Sequence, residues 1–233
     1  MKRKLAPRAA AEFLGTAFLV AAVVGSGIMA ERLAGGNVGL ALLANTIATG
    51  AALVALILAF GPVSGAHFNP AVSFADAMAG GLAWVETLPY VAAQICGGIS
   101  GTVIANAMFG LPLVSISHHA RAGSTQLISE FVATFGLLCV IWGCSRSQPQ
   151  AVPFAVGGYI TAAYWFTAST SFANPAVTTA RMLSDTFAGI RPNDVMGFIA
   201  VQFAGAIAAT LLFRWLAPNL RERAPQVLMS HET

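Results

Sequence analysis

Two Asn-Pro-Ala tripeptides are the residues best placed to act on a passing molecule. One, Asn69, Pro70 and Ala71, lies in "GAHFNPAVS"; the other, Asn174, Pro175 and Ala176, lies in "SFANPAVTT". An Asn side-chain oxygen caps free backbone N–H groups, and Pro suits the first helical position. Each tripeptide therefore predicts the start of a helix, where the backbone dipole is positive. With the Asn oxygen engaged in the cap, its NH₂ group remains a donor. Brought together, Asn69 and Asn174 would offer two donors and a positive field at one point. A hydroxyl oxygen can accept there, whereas a proton or cation meets an electrostatic barrier. The residue after the second tripeptide is Val177, which brings neither donor nor charge.

The elements that must hold these residues lie in lipid. Of the 233 residues, 57% are hydrophobic and 9% charged, where a soluble chain carries about 25% charge. Apolar segments near 10–30, 39–60, 84–108, 125–144, 151–169 and 193–216 are each close to the ~20 residues that cross a bilayer. The net charge of +3 is small and scattered, which argues against nucleic acid. The N-terminal run is too long for a signal peptide and carries Glu12. Cys96, Cys139 and Cys144 fall in apolar spans and read as small buried hydrophobes.

Basic residues near span ends orient the chain. Lys2, Arg3, Lys4, Arg8, Arg146, Arg214, Arg221 and Arg223 fall on one side, and Arg32, Arg121, Arg181 and Arg191 on the other. Eight against four places both termini in the cytoplasm.

The chain repeats itself upside down. "AEFLGTAFL" echoes "SEFVATFGL", "HFNPAVSFA" echoes "FANPAVTTA", and "VAAQICGGISG" echoes "IAVQFAGAIAA". Each half, approximately 8–109 and 125–217, contains three spans, and the odd number makes the second half enter from the opposite side. Inverted repeats place functional sites near the bilayer midplane. The segments after the tripeptides, to the Gly80-Gly81 break and from Pro175 to Asp185, are too short to span. At 1.5 Å per residue, ten residues reach about 15 Å, half a membrane. They predict re-entrant half-helices meeting start to start. The non-helical backbone before them is tolerated only inside protein or along a water-filled cavity.

Together, the two boxes, "SGAHFNPAV", Glu12 and Glu130 in the first span of each half, and Gln94 and Gln202 resemble the aquaporin family, also called major intrinsic proteins. The resemblance covers about residues 8–217 of a single channel domain, 1–233. It implies an all-α membrane protein of six transmembrane helices plus two re-entrant half-helices, with one pore per chain and a homotetramer. It implies that Asn69 and Asn174 orient the permeant. Carbonyls of Gly65, Ala66 and His67, and of Thr170, Ser171 and Phe172, would line the path. Glu12 and Glu130 would accept hydrogen bonds from the re-entrant loops, and Gln94 and Gln202 would pack or bond there.

Most members place Arg where this chain has Val177. The same resemblance sets Thr49, Ser171 and a fifth-span residue beside it in the narrowest ring. That residue is Tyr164 by the register of "PFAVGGYITAAYW" and Ala162 by counting back from Asn174; helix register favours Tyr164. A ring of Thr49, Tyr164, Ser171 and Val177 is uncharged and wide, unlike the arrangements associated with water or glycerol selectivity. Arg181 lies one turn beyond Val177, where it is either a structural or snorkelling residue paired with Asp185 or a vestibule residue. His118 and His119 read as part of a solvated outer connection, 110–124. Gly97 with Gly101, and Gly205 with Ala209, allow close helix contact.

No nucleotide loop, catalytic triad or zinc pattern is present in the sequence, so no enzyme activity, cofactor or metal is expected. The leading expectation is a passive channel for water, glycerol-like polyols and metalloid hydroxides in a bacterial inner membrane. The arginine-free second box resembles the arsenic-operon aquaglyceroporins of the AqpS type, which implies arsenite and methylated arsenicals as permeants. The alternatives are a general water and glycerol facilitator with no metalloid role, a coupled secondary transporter, and a junction or scaffold protein of the same fold.

Overall fold

The computed structural model describes residues 4–217; Lys2, Arg3, Arg221 and Arg223 of the orientation argument lie outside that range. The described residues are helical, with no strand among them. In chain order the helices are α1 (Leu5–Leu33), α2 (Val38–Ser64), α3 (Pro70–Ala79), α4 (Trp84–Met108), α5 (Ser124–Ser147), α6 (Val152–Phe166), α7 (Pro175–Arg181) and α8 (Pro192–Leu216). Five of them, α1, α2, α4, α5 and α8, are long and apolar enough to cross a membrane. The sixth span, α6, is 15 residues long and begins after a 3₁₀ turn at Pro149–Ala151.

Local chemistry sets the ends. Asn37 caps α2 by accepting the Leu40 N–H at 3.0 Å. Gly65 ends that helix at φ 90°, a left-handed turn that favours glycine. Pro175 and Pro192 stand at the first positions of α7 and α8, where a missing N–H costs nothing.

The main contacts run between α1 and α4, between α1 and α2, and between α5 and α8. Gly97 and Gly101 lie against the Phe13 and Ala17 carbonyls of α1, and Gly205 against the Phe131 carbonyl of α5. The missing side chains let backbones approach closely, the usual device where lipid supplies no hydrophobic driving force. A crossing not anticipated from sequence joins α2 to α6, with Gly50 against the Gly157 carbonyl and Gly157 against that of Gly50.

The half-helix α3 has 10 residues, but α7 has only 7 and does not reach Asp185. The outer connection takes the carbonyls that would continue it. Ser117 and Ser115 N–H groups donate to the Met182 and Leu183 carbonyls at 2.9 and 3.0 Å. Thr102 of α4 donates to the Ala180 carbonyl at 3.1 Å. Cys96 also differs from expectation: it is exposed on the outward face of α4, while Cys139 and Cys144 are half-buried.

Candidate functional site

The two half-helices meet start to start. The Asn69 side chain caps α3 by accepting the Ala71 N–H at 2.9 Å. The Asn174 side chain caps α7 by accepting the N–H groups of Ala176 and Val177 at 2.9 and 3.2 Å. Each Asn amide also reaches across the junction. Asn69 donates to the Ala173 carbonyl at 2.7 Å, and Asn174 to the Phe68 carbonyl at 2.8 Å. These cross-links still allow one donor from each Asn. One N–H of each amide holds the opposite loop, which leaves the second. Pro70, Ala71, Pro175 and Ala176 are buried in the junction, while both Asn side chains border the cavity beside it.

The loops leading to the junction are bent in a way that side chains ordinarily resist. Ala66, Phe68, Thr170, Ser171 and Ala173 have φ between 48° and 61°. That left-handed backbone costs about 1–2 kcal/mol per residue for L-amino acids. Two buried carboxylates hold it. Glu12 Oε1 accepts the His67 N–H at 3.0 Å and the Ser64 hydroxyl at 2.6 Å. Its Oε2 accepts the Phe68 N–H and the Gln94 amide, both at 2.7 Å. Glu130 accepts the Phe172 and Ala173 N–H groups at 2.8 and 2.9 Å and the Gln202 amide at 2.6 Å. Gln94 and Gln202 complete each set by donating to Ser73 and Thr178, at 2.8 and 2.9 Å. So engaged, both carboxylates are structural acceptors, which leaves a coupled transporter no free carboxylate at the two positions where it would need one.

A cavity of about 420 Å³ runs beside the junction. Pro62 and Gln150 border it along with Gly65, Ala66 and His67; Thr49, Tyr164, Ser171, Phe172, Val177 and Arg181 border its other part. Tyr164 faces this space, whereas Ala162 is exposed on the outside of α6. The Thr49 and Tyr164 hydroxyls are 3.3 Å apart. The Ser171 hydroxyl is buried without a partner among the described residues. Thr170 does not border the cavity, contrary to expectation. Its N–H turns back to the Thr167 carbonyl at 3.1 Å and its hydroxyl lies 3.4 Å from Arg121, so the loop joins the wall only at Ser171.

Arg181 does not pair with Asp185. Its side chain turns inward, is 2% exposed, donates from Nε to the Ala188 carbonyl and lies over the Phe172 ring. Asp185 instead accepts from the His118 backbone at 2.9 Å and lies 3.0 Å from the His118 ring. The short α7 explains the change: Asp185 is no longer on a continuous helix face with Arg181.

Three groups escaped the sequence reading. Arg121, counted there as an outer-loop charge, is buried against the Phe172 ring and donates to the Gly189 and Ser169 carbonyls at 2.8 and 3.1 Å. Asp76, buried in α3, sits 3.6 Å from His67 Nε2, while His67 Nδ1 lies 3.0 Å from the Ser73 hydroxyl. Arg8 is buried between Tyr90 and Glu86 at 2.8 and 3.0 Å. A carboxylate in an apolar half-helix was a visible signal for Asp76; the partners of Arg8 and Arg121 lie far away in sequence and left none. No cluster that could hold a metal occurs among the described residues.

Known proteins resemble this chain in sequence and in fold. The sequence model described as "Major intrinsic protein" matches residues 2–151. Aquaglyceroporin AqpS of Rhizobium meliloti (strain 1021) is 53% identical over 226 residues, 95% of this chain and 97% of that one. Aquaporin NIP1-4 of Oryza sativa subsp. japonica is 35% identical over 212 residues, 85% of this chain and 72% of that one. The X-ray structure of the aquaglyceroporin from Plasmodium falciparum superposes with a TM-score of 0.73 at 21% identity, covering 93% of this chain and 99% of that one, and shows the shared fold. With its six spans, two half-helices and family match, this chain belongs to the major intrinsic proteins, multi-pass membrane proteins that act as passive channels rather than enzymes.

Proposed function

We propose that the chain is a passive, bidirectional channel for water, glycerol-like polyols and metalloid hydroxides, arsenite and methylated arsenicals among them. The observation that carries this reading is the neutral wall around the cavity at Thr49, Tyr164, Ser171 and Val177. Val177 is small and apolar, so this level admits a solute with several hydroxyls without demanding a fixed hydrogen-bond geometry. Arsenite, As(OH)₃, is a neutral triol close in shape to glycerol. Asn69 and Asn174 orient such a solute through their remaining N–H groups, and the carbonyls of Gly65, Ala66, His67, Ser171 and Phe172 offer acceptors along its path. The likeness to a relative named an aquaglyceroporin supports a polyol-passing pore.

On this reading the inverted repeats, approximately 8–109 and 125–217, enclose one pore per chain in a homotetramer. The membrane is a bacterial inner membrane with both termini cytoplasmic. Arg121 and Arg181, two of the four basic residues counted on the outer side, and Arg8, one of the eight on the inner side, are buried in the bundle, which changes eight against four to seven against two. That leaves the loop-charge bias toward a cytoplasmic N-terminus stronger than the raw count.

The test is flux into vesicles containing the purified protein, compared with Val177→Arg. Arg adds bulk, donors and a charge where Val has none, so the variant should lose arsenite and glycerol flux by about tenfold, or roughly 1.4 kcal/mol of barrier, before it loses water. Unchanged arsenite flux in the variant would remove the filter argument. Wild-type vesicles no more permeable than empty ones would remove the channel itself.

A further inference from the structure

The cavity wall carries a buried cation that its neutral ring does not account for. Arg181 is 2% exposed and its Nε donates to the Ala188 carbonyl. Its two terminal nitrogens have no hydrogen-bond partner among the described residues, yet they are not sealed from open space. The space Arg181 borders is the cavity. No carboxylate forms an ion pair with it among the described residues.

The placement is firmly built. Two guanidinium groups lie against the Phe172 ring, Arg181 3.4 Å and Arg121 4.8 Å from its centre. Arg121 is fastened to the Gly189 and Ser169 carbonyls. The Phe172 N–H is in turn fixed by Glu130 at 2.8 Å. The Phe172 ring and the Ala188 carbonyl hold the Arg181 side chain in the cavity wall. The field extends to the outer connection: burial first, then Arg121 and Arg181, push the His119 imidazole below its usual range.

We propose that Arg181, four residues after Val177 on α7, is the charge-selecting residue of this channel, so that width and charge are controlled by different residues of one cavity wall. Val177 and its neighbours set what size passes. Arg181 repels cations, while its free N–H groups donate to the oxygens of neutral solutes. A guanidinium suits this role because it stays charged when buried and offers several donors in a fixed plane. Low dielectric around it strengthens the repulsion. The inference rests on the channel reading above.

Urea and the guanidinium ion are nearly the same size and shape and differ in charge, so their permeability ratio isolates this effect. Vesicles containing wild type should pass urea and exclude guanidinium. Arg181→Met should raise the guanidinium-to-urea ratio by about tenfold or more, which corresponds to 1.4 kcal/mol of relative barrier. Arg181→Gln, whose amide can still donate to the Ala188 carbonyl, reads the same ratio should the Met variant fail to assemble. Arg181→Lys should stay near wild type. An unchanged ratio in the assembled Met or Gln variant overturns the proposal, as does an equal rise in Arg121→Met, which would assign the charge to the whole stack. Wild-type vesicles that pass no urea or glycerol above empty ones would overturn the channel reading and this inference with it; an unchanged ratio with intact urea flux overturns the inference alone.

Discussion

Glu130 and Ala173 connect the two halves of the pore junction. The Glu130 carboxylate accepts the Ala173 N–H at 2.9 Å, and the carbonyl of the same Ala173 accepts the Asn69 amide at 2.7 Å. A carboxylate in α5 thereby sets the position of a donor at the start of α3. The mirrored path runs from Glu12 through Phe68 to Asn174. Each Asn is held by the opposite loop, and each loop by a buried carboxylate on its own side.

Replacing Glu130 with Gln should therefore damage both pore and fold. Gln has one acceptor oxygen where Glu130 uses two, against the Phe172 and Ala173 N–H groups and the Gln202 amide. Losing a hydrogen bond to a charged acceptor costs about 1.5–3 kcal/mol. Thermal unfolding of the detergent-solubilised protein should show a loss of at least that size, together with reduced glycerol flux. Wild-type stability in the variant would mean the left-handed loop holds itself.

Thr49→Phe tests the width of the passage from the side opposite α7. Thr49 borders the cavity with its hydroxyl 3.3 Å from that of Tyr164. A ring there fills the space next to Val177. Glycerol flux should fall by about tenfold or more, roughly 1.4 kcal/mol of added barrier. Water flux should fall less, and equal losses of the two would place the constriction elsewhere.

Gly101→Val should separate α1 from α4. A Cβ at this position would meet the Ala17 carbonyl, which belongs to a helix backbone and cannot rotate away. Overpacking of this kind costs about 1–3 kcal/mol. The expected outcome is a lower unfolding temperature and less assembled protein, measured by size-exclusion chromatography in detergent. The same change at Gly61, where a Cβ meets nothing within 4 Å, should be tolerated far better.

Acid should loosen the outer connection. The His118 backbone N–H, followed by its side chain, holds the Asp185 carboxyl below its ordinary value of 3.8. With the folded value depressed, the stabilisation is present above 3.8 and is lost as pH falls through the lower folded value. Hydrogen exchange in residues 111–119 should rise as pH drops through that window, after correction for the intrinsic rate. Asp185→Asn should show the faster exchange already at neutral pH, and identical protection in the variant would mean the Asp185 hydrogen bonds do not pin the loop.

The local signals in this sequence reached far. Asn followed by Pro specified both half-helix starts, because capping needs only neighbouring residues. Apolar runs located the spans, because bilayer thickness sets their length. Gly97, Gly101 and Gly205 marked close contacts because a missing side chain matters wherever the helix packs. Val177 could be read as neutral because residue type alone decides charge. The remainder depended on contacts between residues remote along the chain. Helix register already favoured Tyr164 over Ala162, but which of them borders the cavity depends on the rotation of α6, which packs against α2. The second hydrogen bond of each Asn amide spans 104 and 106 residues. Arg181 was read as a partner of Asp185 from helical spacing, but the outer connection draws off the Met182 and Leu183 carbonyls and ends α7 first. Where that helix stops decides which side of it a charge can reach, and only the folded chain determines that a cation four residues beyond Val177 turns toward the cavity.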